Sequence, residues 1–135
     1  MIRTLSLTAA LLIAGSAVAD ERPDVRFSPG AIDATLSSSV VRGDRDIYPI
    51  SASAGQTMTL AIESEGENAV FQVFPPGTHY MQDSDGVWVF HGQAIRGADG
   101  DTRAWSGQLT SGGRYLIVVG GVRGNADYDL NVRID

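Results

Sequence analysis

The chain has 135 residues, 43% of them hydrophobic and 19% charged, which fits one globular domain. It contains no Cys, and all ten of its positive charges are Arg; disulfides, thiolate metal sites, Schiff-base chemistry and a Walker-type phosphate site are thereby excluded. A net charge of −6 argues against nucleic acid, whose phosphates call for a basic surface.

Residues 1–19 read as a leader. Arg3 precedes the apolar run Leu5 to Ala14, and the small-x-small site Ala17-Val18-Ala19 is followed at once by Asp20-Glu21-Arg22-Pro23. This is the pattern of a secretory signal peptide, with cleavage after Ala19 leaving one domain over 20–135. A membrane-spanning helix needs about 20 apolar residues, and this stretch is interrupted by charge before that length. No Cys near the junction could carry a lipid anchor. The exported domain keeps every acid and loses only Arg3, so it is one unit more negative than the whole chain.

Beyond residue 20 the pattern is that of strands. In 126–134, Tyr128, Leu130, Val132 and Ile134 alternate with Asp127, Asp129, Asn131 and Arg133; period two with one wet face predicts an antiparallel strand. Residues 56–65 repeat it, with Met58, Leu60 and Ile62 against Thr57, Thr59, Ala61 and Glu63. Residues 114–119 are apolar on both faces and predict a central strand. Further strands are expected at 25–28, 32–41, 46–53, 69–74, 87–91 and 103–109. Gly-, Pro- and Asp-rich turns separate them, among them Arg42-Gly43-Asp44, Pro75-Pro76-Gly77 and Ser111-Gly112-Gly113. No 3.6-residue stripe appears. The expectation is an all-β fold: a single β-sandwich of jelly-roll type with about eight antiparallel strands. If each connection reverses the chain, loops 42–46, 65–68, 92–102 and 120–126 share one end. Loops 54–56, 75–86 and 110–113 share the other.

Catalytic constellations are missing. There is no Gly-x-Ser-x-Gly elbow and no helix to follow one. His79 and His91 read as surface histidines. Asp83-Ser84-Asp85-Gly86 and Asp99-Gly100-Asp101 lack the Glu and the flanking helices of an EF-hand, so they read as turns. No metal or cofactor is expected, and no enzyme. What stands out is Gly120-Gly121-Val122-Arg123-Gly124, a Gly-rich hairpin tip that projects one Arg. The planar fork of Arg can pair bidentately with a carboxylate, although the residues alone favour the plainer reading, a solubilising charge on a hairpin. Ser111-Gly112-Gly113-Arg114-Tyr115 is likewise a tight turn with Tyr115 at the head of a strand, or a second contact patch.

The run Tyr48-Pro49-Ile50-Ser51-Ala52-Ser53-Ala54-Gly55-Gln56-Thr57-Met58-Thr59-Leu60 resembles the pre-peptidase C-terminal type of domain. So do Trp105-Ser106-Gly107-Gln108-Leu109, Ser111-Gly112-Gly113-Arg114-Tyr115 and the closing Tyr128-x-Leu130-x-Val132. Standing alone behind a leader, the domain is similar to the periplasmic inhibitors of goose-type (g-type) lysozyme. The shared features are Val25, Phe27 and Gly30, the turn from Gly43 to Tyr48, and an Arg-bearing loop after the Ser-Gly-x-Tyr strand; residues 75–104 do not match. The resemblance implies a periplasmic protein whose partner is a lysozyme of the g-type. Arg123 would enter its acidic cleft, with Arg45 and Tyr48 in the neighbouring turn. It leaves Ser111, Arg114 and Tyr115 as a second patch at the opposite end. The other reading is a non-inhibitory envelope module that grips glycan through Trp88, Trp105 or Tyr80.

Overall fold

Alternating side chains decide the architecture, and the closing strand shows how. In the computed structural model, which describes residues 20–135, Tyr128, Leu130, Val132 and Ile134 are buried while Asp127, Asp129 and Arg133 are exposed. Ten strands are present among the described residues: β1 (Asp20–Glu21), β2 (Asp33–Val40), β3 (Asp46–Ala52), β4 (Thr57–Ser64), β5 (Ala69–Phe74), β6 (His79–Gln82), β7 (Trp88–His91), β8 (Ala104–Gln108), β9 (Gly113–Gly121) and β10 (Ala126–Ile134). A single 3-10 turn, Glu65–Glu67, joins β4 to β5. The leader expected over 1–19 lies outside the described residues. No helix among those described is long and apolar enough to cross a membrane.

Two four-stranded sheets face each other, with orders β1-β3-β9-β5 and β2-β10-β4-β8. From β2 to β5, and again from β8 to β10, each connection crosses between the sheets, which is jelly-roll wiring. Only the two-residue β1 runs parallel to its neighbour. Between the sheets lie Ile50, Met58, Leu60, Phe71, Val73, Tyr115, Ile117, Val119, Leu130 and Val132, all buried.

Strand β9 is apolar on both faces for a reason the chain supplies elsewhere. Its outward Leu116 and Val118, with Ile47 and Phe74, are covered by Tyr80, Trp88 and Phe90 from a β6–β7 hairpin lying on the sheet. Residues 75–86 are therefore not one long loop, as the turn residues suggested. Strand β6 is only four residues long, and Pro75-Pro76-Gly77 before it and Asp85-Gly86 after it mask its signal. The expected strand at 25–28 is absent. Pro23 and Pro29 flank it without donors, and the segment joins β3 through Val25 N to Pro49 O at 2.8 Å while Val25 and Phe27 pack on the core. The 92–102 connection also departs from the expected placement at one end. It runs beside β5, with Ile95 N to Val73 O at 2.8 Å, Val73 N to Ala98 O at 2.9 Å and Phe71 N to Thr102 O at 2.9 Å. It covers an edge that would otherwise offer unpaired ladder groups.

One polar network sits inside this core. Asp46, 1% exposed, accepts from Tyr128 Oη at 2.5 Å and pairs with Arg22 Nη2 at 3.1 Å. With the Tyr128 proton given to the carboxylate, Tyr48 Oη is the donor in the 2.5 Å Tyr48–Tyr128 contact. Burial, and for Tyr128 also its donation to Asp46, push both phenols above their ordinary value. A raised folded-state value stabilises the fold fully below the unfolded pKa of about 10, and that stabilisation is lost as pH rises further. Unfolding free energy from urea melts is expected to hold steady to about pH 9–10 and then fall by up to about 1.4 kcal/mol per pH unit for each tyrosine. Tyr128→Phe removes one share, so an alkaline slope as steep as that of the parent would refute this account.

Candidate functional site

Four loops meet at one end of the sandwich: 41–45, 65–68, 100–103 and 122–125. Two asparagines stitch them. Asn68 Oδ1 accepts from Arg123 N at 2.6 Å, Asn68 Nδ2 donates to Asn125 O at 2.9 Å, and Asn125 Oδ1 accepts from Arg42 N at 2.7 Å. The tip needs its glycines. A Cβ on Gly121 would run into the carbonyl oxygen of Gly124, and Gly124 has φ 112°, which a side chain rarely adopts.

This end concentrates guanidinium groups. Arg123 Nη2 donates to Gly66 O at 2.9 Å, Arg45 Nη1 to Asp44 O at 2.8 Å, and Arg103 donates through Nε and Nη2 to Glu67 O at 3.1 and 2.9 Å. All these acceptors are neutral carbonyls. Among the described residues the ion pairs within 4.0 Å are Arg22–Asp46, Arg114–Asp24 and Arg133–Asp135, none of them on Arg42, Arg45, Arg103 or Arg123. The same loops carry Asp44, Glu65, Glu67 and Asp101, yet none of these carboxylates lies within 4.0 Å of the four guanidinium groups. Arg45 reaches this position because Gly120 is flat: a Cβ there would approach the Arg45 guanidinium at 3.1–3.2 Å. Beside it lies a groove of about 190 Å³ bordered by Val70, Gln72, Asp101 and Val122.

The structure places the loops of Arg123 and Arg45 at the same end, and with them those of Arg42 and Arg103, which the sequence did not single out. Their signal was modest: each is an Arg beside a turn, and only the topology shows that the turns share an end. Tyr48 sits below this surface, 5% exposed, in the Asp46 network, and offers a partner no contact area. Ser111, Arg114 and Tyr115 lie at the far end of the nine-residue β9, about 26 Å away. Ser111 is exposed, but Tyr115 is buried and donates to Ser111 O at 2.5 Å. The Arg114 fork is filled by Asp24, at 2.7 and 3.2 Å, and holds that carboxyl below its ordinary range.

The other candidate features have local explanations. Asp83 Oδ1 accepts from the amides of Asp85 and Val87, both at 2.9 Å, so this Asp-rich segment closes the β6–β7 turn. Tyr80, Trp88 and Trp105 are half-buried against the sandwich, so each ring has one face committed to packing.

Solved structures share this fold. Aeromonas hydrophila PliG, described as a periplasmic lysozyme inhibitor of g-type lysozyme, is 34% identical, with a TM-score of 0.61 over 83% of this chain and 94% of that one. Salmonella Typhimurium PliG, described in the same words, is 25% identical, with a TM-score of 0.61 over 87% of this chain and 100% of that one. A mutant of the Escherichia coli PliG shares the fold at 23% identity, with a TM-score of 0.60 over 87% of this chain and 100% of that one. These neighbours are inhibitors, not enzymes. No protein-family model matches the chain, and no curated protein does. With 34% identity to the Aeromonas protein over 83% of this chain and nearly that protein's whole length, the chain belongs to the PliG family.

Proposed function

We propose that this chain is a periplasmic inhibitor of g-type lysozyme, exported by its leader, and that it works by inserting Arg123 into the acidic active-site cleft. The observation that carries this reading is Arg123 itself, exposed on a glycine-rich tip, bonded through Nη2 to the Gly66 carbonyl at 2.9 Å and in no ion pair. Lysozymes cut glycan with acidic side chains, and a fork held only by a carbonyl can exchange that bond for a stronger carboxylate pair. Arg123 stands at the tip, Arg45 behind it, and Tyr48 supports the turn from below through Asp46. With the glycine-rich tip inserted in the substrate groove, the rim loops exclude substrate. The acidic body steers the complex toward a basic enzyme. Ser111, Arg114 and Tyr115 face the other way, and the Arg114 charge is already answered by Asp24, which favours the Arg123 end.

The test adds purified protein to goose-, chicken- and invertebrate-type lysozymes acting on cell-wall substrate. The expected result is inhibition of the goose type in a one-to-one complex, with little effect on the other two. If none of the three is inhibited, the reading fails and a non-inhibitory envelope module takes its place.

A further inference from the structure

The only two histidines in the chain stand face to face on the β6–β7 hairpin. The register pairs His79 with His91, Tyr80 with Phe90, Met81 with Val89 and Gln82 with Trp88. Alternation divides these residues between two faces. Tyr80, Trp88 and Phe90 point down onto the sheet, so His79, Met81, Val89 and His91 share the outer face. His79 and His91 are exposed there, and Met81 is 58% exposed, which leaves its thioether accessible. We infer that His79, His91 and Met81 form a copper-binding site on the outer face of this hairpin.

Geometry supports the pair. Directly opposed residues on an antiparallel ladder have Cβ atoms about 4.5–5.5 Å apart, a spacing from which two imidazoles can converge on one ion at about 2.0 Å from each nitrogen. Met81 is the diagonal neighbour of His91, at a separation of about 7–8 Å that long side chains cover. The platform is rigid beneath them. Phe90 stacks on Phe74 with centroids 4.9 Å apart and planes 12° from parallel, and Asp83 closes the turn. Ligands on a fixed hairpin lose little freedom on binding.

The donor set selects the metal. Two imidazoles and a thioether, with the nearest carboxylate on this face, Asp83, beyond Met81 at the turn and engaged by the amides of Asp85 and Val87, disfavour calcium, magnesium and manganese, which take oxygen ligands. Imidazole suits copper in both oxidation states, divalent copper binds most tightly of the first-row ions, and a thioether favours Cu(I). The site lies at the base of the hairpin, where His79 follows Pro75-Pro76-Gly77 and His91 precedes Gly92. A bound ion would clip the two ends of the hairpin together. The fold itself does not depend on this ion, because the aromatic face already holds the hairpin to the sheet.

The experiment titrates tag-free protein with Cu(II), and separately with Cu(I) under anaerobic reducing conditions. Binding is read by calorimetry and by the imidazole proton resonances of His79 and His91. The expected result is one ion per chain, with paramagnetic broadening of both histidines at substoichiometric Cu(II). His79→Gln and His91→Gln should each weaken Cu(II) binding by about tenfold or more, as loss of one of two strong ligands requires. Met81→Leu should leave Cu(II) binding within about twofold while weakening Cu(I) by about tenfold. All three residues are exposed, so circular dichroism should show the parent fold in each variant. Unchanged Cu(II) affinity in the double variant His79→Gln/His91→Gln, broadening of one histidine alone, or Cu(I) binding indifferent to Met81→Leu would each overturn the three-ligand site.

Discussion

Arg123→Ala is expected to weaken inhibition of g-type lysozyme about 30- to 5,000-fold, the range that corresponds to losing one member of a desolvated, hydrogen-bonded charge pair. The fold should be untouched. Arg123 is exposed, its side chain meets the protein through the single bond to Gly66 O, and the loop is held by Arg123 N to Asn68 Oδ1, which an alanine keeps. Arg123→Lys should recover only part of the affinity, because an ammonium retains the charge and loses the bidentate fork. Arg133→Ala is the matched control. It removes one exposed Arg at the far end of β10, paired only with Asp135. Equal losses from Arg123→Ala and Arg133→Ala would reduce the effect to long-range attraction. A silent Arg123→Ala beside damaging changes at Ser111 or Arg114 would move the binding end to the opposite pole.

Strands with one wet face were legible because period two is written directly into them. Strands β5 and β10 begin and end where the alternation does, and β4 is shorter than expected by one residue at each end. The β6–β7 hairpin was not legible in full. Its first strand carries a single aromatic between a Pro-Pro-Gly and an Asp-rich turn, and what makes it a strand is the apolar outer face of β9, a tertiary demand. The same covering explains why Ile47 and Tyr48 are both buried although they point to opposite faces of β3. Tyr48 was placed beside the partner by the resemblance alone, and a polar turn followed by a buried strand gives no warning at the junction. Arg123 could be singled out from its glycines. Arg42 and Arg103 could not, since their proximity to it arises only from the sheet order.

Arg22→Ala should destabilise the fold by about 3 kcal/mol, the lower end of the range for stranding one partner of a buried ion pair. The asymmetry of the pair sets this figure. Asp46 is 1% exposed while the Arg22 side chain is 34% exposed, so removing Arg22 leaves a carboxylate inside with Tyr128 as its remaining donor, although water can follow the vacated path. Burial opposes the Arg22 charge, and the Asp46 carboxylate outweighs it, lifting the guanidinium above its ordinary value. For a domain of this size a change of about 3 kcal/mol lowers the thermal midpoint by about 10–15 °C. Combining Arg22→Ala with Asp46→Asn should return part of the loss, since the stranded charge is gone and an amide oxygen still accepts from Tyr128. The exposed Arg133–Asp135 pair is the comparison, and Arg133→Ala should change stability by less than about 1 kcal/mol. The pair also reaches the Arg123 end, because Asp46 is the residue after Arg45 and Arg22 N bonds to Ile47 O at 2.9 Å. Loosening it frees the 41–45 turn, so Arg22→Ala should weaken inhibition modestly even well below the melting range. A midpoint for Arg22→Ala within a degree or two of the parent would mean that water already serves the carboxylate and that the ion pair does not anchor the turn.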